Sequence, residues 1–180
     1  MADFDIFANQ LLEEAKRFLE KASQASDVTA QAANLHAALM LSFCALEAHI
    51  NLIGEEFSIR TDLSAHEKGL LLERDVRLED GEFKVQKTLK MVRLEDRIEF
   101  LHAKLSGKPV DKSAAWWGHL ISAVQLRNEL THAKAIPSVT ETAVRSAIQA
   151  ILSALDTLVK AIYKKKLPAA QMGLNSVMTF

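Results

Sequence analysis

A short string near the carboxyl end of one predicted helix carries the residues best suited to chemistry, Arg127-Asn128-Glu129-Leu130-Thr131-His132. Near neutral pH a histidine can take or deliver a proton, and a nearby arginine can hold a phosphate and stabilise charge in its transition state. With the polar amide of Asn128, these groups suffice for attack of a ribose 2′-hydroxyl on the neighbouring phosphate without a metal ion. The string is therefore a candidate working site directed at phosphodiesters.

The helical wheel makes Arg127 the unusual member of this string. Because an α-helix turns by about 100° per residue, Arg127 falls in an apolar row. That row consists of Trp116, Leu120, Ala123, Arg127 and Leu130. A guanidinium in such a row is costly unless an anion or hydrogen-bonding groups meet it. Thr131 lies beside Arg127 one turn on, Asn128 and His132 share the neighbouring row, and Glu129 points toward solvent.

A purely structural interpretation of the same residues stays open at this point. Arg127 would form a buried pair with a carboxylate from another helix, such as Glu47. His132 would then cap the carboxyl end of its helix, where a positive charge is favoured. Composition alone does not separate this interpretation from the functional one.

The pattern Arg-Asn-x-x-x-His, late in a helical chain, resembles the motif of the HEPN superfamily. The earlier helix that carries Ala45-Leu46-Glu47-Ala48-His49-Ile50-Asn51 is similar to that family's earlier helix. The resemblance implies a small helical bundle that forms a homodimer, so that two motifs meet in one cleft. It also implies a metal-independent endoribonuclease of a toxin–antitoxin or antiviral defence type.

Carried over to this chain, the resemblance assigns a role to each residue of the motif. Arg127 would hold the scissile phosphate, His132 would act as acid or base, and Asn128 would orient the phosphate or the histidine. Thr131 beside Arg127 is a supporting candidate. Glu47 is a weaker candidate for positioning Arg127 from the second helix.

One departure from the family bears on the partners expected. In one branch a tyrosine follows the histidine by two residues, whereas Lys134 stands here, so a nucleotidyltransferase that modifies such a tyrosine is not expected. The expected partners are an RNA substrate, a second copy of the chain and an antitoxin or other protein. The alternative is a non-catalytic helical module that binds RNA, a nucleotide or a protein through the same cationic cleft.

Other patterns give weaker signals. Glu99 with His102 and Glu129 with His132 have the Glu-x-x-His spacing of di-iron bundles, but such sites need two further inward glutamates. We therefore predict neither metal nor cofactor. The residues 164–166 are three lysines that complement a helix end, and Trp116 and Trp117 are better explained as core or interface than as stacking platforms.

Composition places these residues in an ordinary folded protein. The 180 residues are 49% hydrophobic and 25% charged with a net charge of −1, which suits one globular domain and gives no global field for nucleic acid. We expect a single domain over residues 1–166, with a loosely held tail over 167–180. Cys44 is expected to be a small buried hydrophobe. No signal peptide or membrane helix is predicted, so a cytoplasmic location is expected.

The elements that must position the string are mostly helices. Apolar periodicity predicts helices near 4–25, 27–57 and 63–73, and then near 88–105, 113–134 and 138–165. Asp80-Gly81 between two alternating stretches predicts a tight hairpin over 76–85. The fold class expected is all-α, an up-and-down bundle of about five helices with this small inserted hairpin.

Overall fold

The computed structural model describes residues 2–180, with side chains from residue 5 onward. These residues form seven helices and one two-stranded antiparallel sheet. The helices are α1 (Ala2–Gln24), α2 (Val28–Ser58), α3 (Ala65–Leu72), α4 (Leu94–Ser106), α5 (Ala115–Thr131), α6 (Glu141–Tyr163) and α7 (Pro168–Gln171), and the strands are β1 (Arg74–Glu79) and β2 (Glu82–Leu89). The predicted all-α fold class with an inserted hairpin is confirmed.

The described chain divides into two compact units, where the sequence analysis expected one domain over residues 1–166. The first unit joins the residues up to Leu46 with 111–180. The second comprises Glu47–Val110. Helix α2 runs through both units, and the candidate string lies in the first.

Helix α6 supplies much of the core of the first unit. One face of the helix is fully buried at Val144, Ile148, Ile151 and Leu155. Thr140 begins the helix by accepting a hydrogen bond at Oγ1 from the backbone N–H of Ala143, 3.2 Å away. Because α6 packs against both α1 and α5, it is the support on which the helix carrying the candidate string rests.

The carboxyl-terminal residues, expected to be a loosely held tail over 167–180, form hydrogen bonds to α1. The buried Nζ of Lys16 donates to the carbonyl oxygen of Ala169 at 3.0 Å. Ser176 donates from Oγ to the Glu13 carbonyl oxygen and from its backbone N–H to Glu20, each at 2.8 Å. The bond from Ser176 and the ion pair with Arg17 hold the pKa of Glu20 below its usual value, against desolvation that raises it. Because these contacts are hydrogen bonds and produce no hydrophobic periodicity, the sequence contains no signal of this packing.

The second unit contains the predicted hairpin in the predicted register. Asp80 and Gly81 have φ values of 53° and 85°, as a two-residue type I′ turn requires. Leu78 pairs with Phe83 across the two strands. Helix α3 packs on both strands and begins with a capping box, in which Ser64 and Glu67 bond each other's backbone N–H groups.

A buried arginine ties the elements of the second unit together. Arg97 on α4 is 2% exposed, and its guanidinium lies 3.0 Å from the Glu73 carboxylate. The same guanidinium donates at 2.8 Å to the side-chain oxygen of Asn51 and to the carbonyl oxygen of Leu71, near the end of α3. Desolvation lowers the pKa of Arg97, while the charges of Glu73 and Glu47 oppose that shift. The guanidinium thus satisfies a helix carbonyl while joining α2 to α4.

Several helix boundaries differ from those predicted. Helix α4 begins at Leu94 rather than near residue 88, because β2 continues to Leu89 and Arg93 is still extended. Helix α5 ends at Thr131, three residues before the predicted 134. Its end is set by local backbone geometry rather than by the distant Pro137.

Helix α2 differs from expectation in two respects. Cys44 is exposed rather than buried, while its neighbours Phe43 and Ala45 are buried. No Asp, Glu, Lys or Arg lies between Asp27 and Glu47, a stretch about as long as a membrane helix although none was predicted. By length and composition α2 and α6 could each cross a membrane, a test that core helices also pass, and 61% of the window in α2 is buried.

Two helical glycines give opposite predictions for stability. A Cβ at Gly118 on α5 would meet nothing within 4 Å, so Gly118→Ala should stabilise the fold by about 1 kcal/mol through helix propensity. A Cβ at Gly54 on α2 would lie 2.7 Å from the carbonyl oxygen of Leu71, so Gly54→Ala should destabilise by about 1–3 kcal/mol. Urea unfolding followed by circular dichroism measures the free energy of unfolding of both variants. If both substitutions changed that free energy in the same direction and by the same amount, the packing described would be contradicted.

Candidate functional site

The candidate string occupies the last turns of α5 and the residue that ends it. Trp117, Leu120 and Ala123 bury the middle of the helix, and the chain leaves helical geometry at His132. The backbone N–H of His132 donates to the carbonyl oxygen of Asn128 at 2.9 Å. The Thr131 hydroxyl donates to the carbonyl oxygen of Arg127 at 2.9 Å. Thr131 therefore stabilises the last turn, and its hydroxyl is committed to the backbone.

Arg127 lies in the apolar row that the wheel predicted, one turn beyond the buried Leu120 and Ala123. The side chain is half-buried, and its Nε is fully enclosed. Its guanidinium carbon lies over the ring of Phe43 on α2, 5.1 Å from the ring centroid. An arginine on an aromatic face gains a cation–π attraction that offsets part of its desolvation. The position of this cation is therefore fixed by packing.

His132 and Asn128 share a solvent-open depression of about 490 Å³ beyond the end of α5. Both side chains are exposed. The lining residues are Asn128, Glu129, His132, Lys134, Ala135, Ile136, Pro137 and Ser138. We call this the His132 depression.

A second depression, the α5–α6 cleft, opens along the same helix. Its volume is about 280 Å³. Its walls are His119, Ser122, Ala123, Gln125, Leu126 and Glu129 of α5 with Ala143, Ser146 and Ala147 of α6. Glu129 lines both depressions.

The structure brings some of the predicted residues together and separates others. Asn128 and His132 line one depression, as their shared row predicted. Arg127 is not among the described residues that line it, since five residues correspond to about 140° around a helix. Glu47 belongs to the other unit, where its charge acts on Arg97, and its suggested role beside Arg127 stays a prediction.

Sequence reasoning missed two residues of the His132 depression. Glu129 was assigned to solvent, and it is exposed, yet it borders both depressions. Lys134 was noted as replacing a tyrosine, but it also lines the depression that contains His132. The early end of the helix turns residues 132–138 back around this space. A helix end placed several residues before Pro137 would have indicated that the chain turns here.

The weaker sequence signals have structural explanations. Among residues 5–180, no group of three or more His, Cys, Asp or Glu side chains is arranged to hold a metal ion, so the di-iron interpretation lacks a donor set. His102 instead contacts the carbonyl oxygen of Lys108 at 2.9 Å. Lys164 ends α6 and donates to the Ala161 carbonyl oxygen. Trp117 is buried and meets Trp116 edge to face, as a core residue would.

Comparison with known proteins gives no match. No family model matches the chain, and neither a curated protein nor a solved structure does so. The resemblance to the HEPN motif therefore stands on the residues of this chain alone.

Arg127 packs against an aromatic ring whereas His132 is exposed, so replacing each by alanine should change the free energy of unfolding by different amounts. Arg127→Ala removes the guanidinium from the Phe43 ring and should destabilise the fold by about 1–2 kcal/mol. His132→Ala changes an exposed side chain and should alter stability by less than about 0.5 kcal/mol. Urea denaturation checks both values. A loss at His132 as large as that at Arg127 would mean that the imidazole holds the helix end in place.

Proposed function

We propose that this protein is a metal-independent endoribonuclease that acts as a homodimer. The observation that carries the proposal is the pairing of Asn128 with an exposed His132 in one depression, at the same helix end as an arginine that packs against Phe43. A proton-transfer group open to solvent and a fixed cation are the two parts that phosphodiester cleavage needs. The resemblance of the Arg127–His132 string to the HEPN motif supports the same assignment.

The proposed reaction is an internal transfer at phosphorus. The ribose 2′-oxygen attacks the adjacent phosphorus and its proton passes to an imidazole acting as base. The bond from phosphorus to the 5′-oxygen breaks, and that oxygen takes a proton from an acid. The products are a 2′,3′-cyclic phosphate and a free 5′-hydroxyl. In this scheme Arg127 stabilises the charge that grows on the phosphoryl oxygens, and Asn128 orients the phosphate.

Within one copy, Arg127 does not line the depression that contains His132. In the proposed homodimer, the arginine of one copy meets the histidine of the other. A two-fold axis places the same surface of each subunit against the other. If the ends of the two α5 helices meet, each Arg127 can face the partner's depression, and two histidines become available. One imidazole then serves as base and the other as acid, which a single copy cannot provide from this string.

The biological setting follows from the chemistry and is part of the proposal. A nuclease that needs no cofactor is active wherever RNA is present, which suits a cytoplasmic toxin or a defence protein. Such an enzyme requires restraint by an antitoxin or another protein partner. A non-catalytic binding module is the second candidate, because the packing of Arg127 against Phe43 and the carboxylate of Glu129 also suit binding of a ligand without its cleavage.

RNA cleavage in the presence of chelator tests the proposal. Native protein should cut mixed RNA in EDTA, leave DNA of the same sequence intact and produce cyclic phosphate ends. His132→Ala should lower the rate by about 10²–10⁴-fold, the usual value of general acid–base catalysis. Arg127→Lys should lower it by about 10²-fold or more, since a lysine lacks the planar fork.

Matched controls separate the site from general surface effects. His66→Ala removes an exposed histidine in the other unit, and Arg145→Ala removes an exposed arginine on α6, so both should retain native activity. RNA that stays intact but bound would favour the non-catalytic module. Cleavage that requires an added divalent ion would contradict the mechanism.

Mixing two inactive variants tests the shared cleft. A heterodimer of Arg127→Ala with His132→Ala retains one arginine facing the one remaining histidine, so the mixture should exceed the activity of either variant alone but stay below that of the native dimer, which has both imidazoles. Analytical ultracentrifugation measures whether the subunits associate. A monomeric active protein, or a dimer without recovery on mixing, would contradict the composite site.

A further inference from the structure

We propose that the α5–α6 cleft is a nucleobase subsite and that Glu129 makes it selective for guanine. The inference rests on RNA as the ligand of the proposed function. Glu129 lines both the cleft and the His132 depression, and we take the phosphate of a base bound in the cleft to lie toward His132.

The shape of the cleft fits a flat ring. Its floor includes two small buried side chains, Ala123 on α5 and Ala147 on α6. Because neither fills the space between the helices, a shallow slot of about 280 Å³ remains, close to the lower limit of about 300 Å³ for ligand pockets. A single base suits this volume. A slot with an apolar floor accepts the face of an aromatic ring.

The rim of the cleft is polar and can bond the edge of a base. Gln125 and Glu129 stand on successive turns of α5, and both are exposed. His119 stands at the other end of the rim. The Ser122 hydroxyl donates to the Gly118 carbonyl oxygen at 3.1 Å, and the exposed Gln125 amide and Glu129 carboxylate are rim groups able to pair with the edge of a base. Such edge bonding is how single-stranded RNA bases are distinguished.

The carboxylate of Glu129 determines which base is favoured. Beside a phosphate a negative charge weakens binding, so Glu129 opposes RNA unless it accepts hydrogen bonds from the base. Guanine presents two adjacent N–H donors, N1–H and the exocyclic amino group, that match a carboxylate in bidentate fashion. Adenine and cytosine each place a ring acceptor beside their amino donor, and uracil has one N–H between two carbonyls. Guanine is therefore the base that Glu129 selects.

Binding of RNA that cannot be cut tests the subsite separately from cleavage. The probes are fluorescent 2′-O-methyl pentanucleotides with uridine at four positions and guanine, inosine or adenine at the centre. Anisotropy should give roughly tenfold tighter binding for guanine than for adenine, with inosine between them because it lacks the amino group. Glu129→Gln should reduce the guanine preference to less than about threefold without weakening the adenine probe.

The controls decide between base selection and a general charge effect. Glu14→Gln makes the same chemical change on α1, outside both depressions, and should keep the full preference. A uniform gain for all probes in Glu129→Gln, or no preference in the native protein, would overturn the inference. Guanine-selective binding without RNA cleavage would leave the subsite in place and refute the nuclease. RNA cleavage without a preference for guanine would support the nuclease and refute the guanine subsite.

Discussion

The burial of arginine charge is the constraint that organises both units of this protein. A guanidinium stays protonated at any physiological pH, so removing it from water requires hydrogen bonds, an opposing charge or an aromatic face. Arg97 meets this demand with Glu73, Asn51 and the Leu71 carbonyl, and in doing so it sets the position of α4 against the end of α3. In the first unit Arg127 lies on the face of Phe43.

The contrast between the two arginines bears on function. Arg97 is 2% exposed and lies among groups of its own unit, as a structural cation would. Arg127 keeps part of its surface accessible while packing fixes its base, so it can meet a ligand without first being ordered. A cation that loses little conformational freedom on binding holds a phosphate more effectively. This difference in setting, more than residue type, makes Arg127 the functional candidate.

The fold was predictable from the sequence where local chemistry decides it. Asp80-Gly81 required the hairpin turn, and the periodicity of α6 indicated its buried face. Prediction failed where distant contacts decide. The tail has no periodicity, yet hydrogen bonds and the contact of Phe180 with Phe18 hold it to α1. Cys44 is exposed on a helix that is apolar nearly all round. Neither the types of these residues nor their spacing along the chain indicates such contacts.

The candidate site was predictable in its members but not in its geometry. Wheel positions correctly joined Asn128 to His132 and set Arg127 in the apolar row, because both statements depend on helical spacing alone. The wheel could not show that α5 stops at Thr131, after which the chain turns and brings Lys134 to the same depression as His132. It also could not show that α6 opposes Glu129 with small side chains. A residue assigned to solvent thereby lines two depressions, and the selectivity proposed for the site depends on that residue.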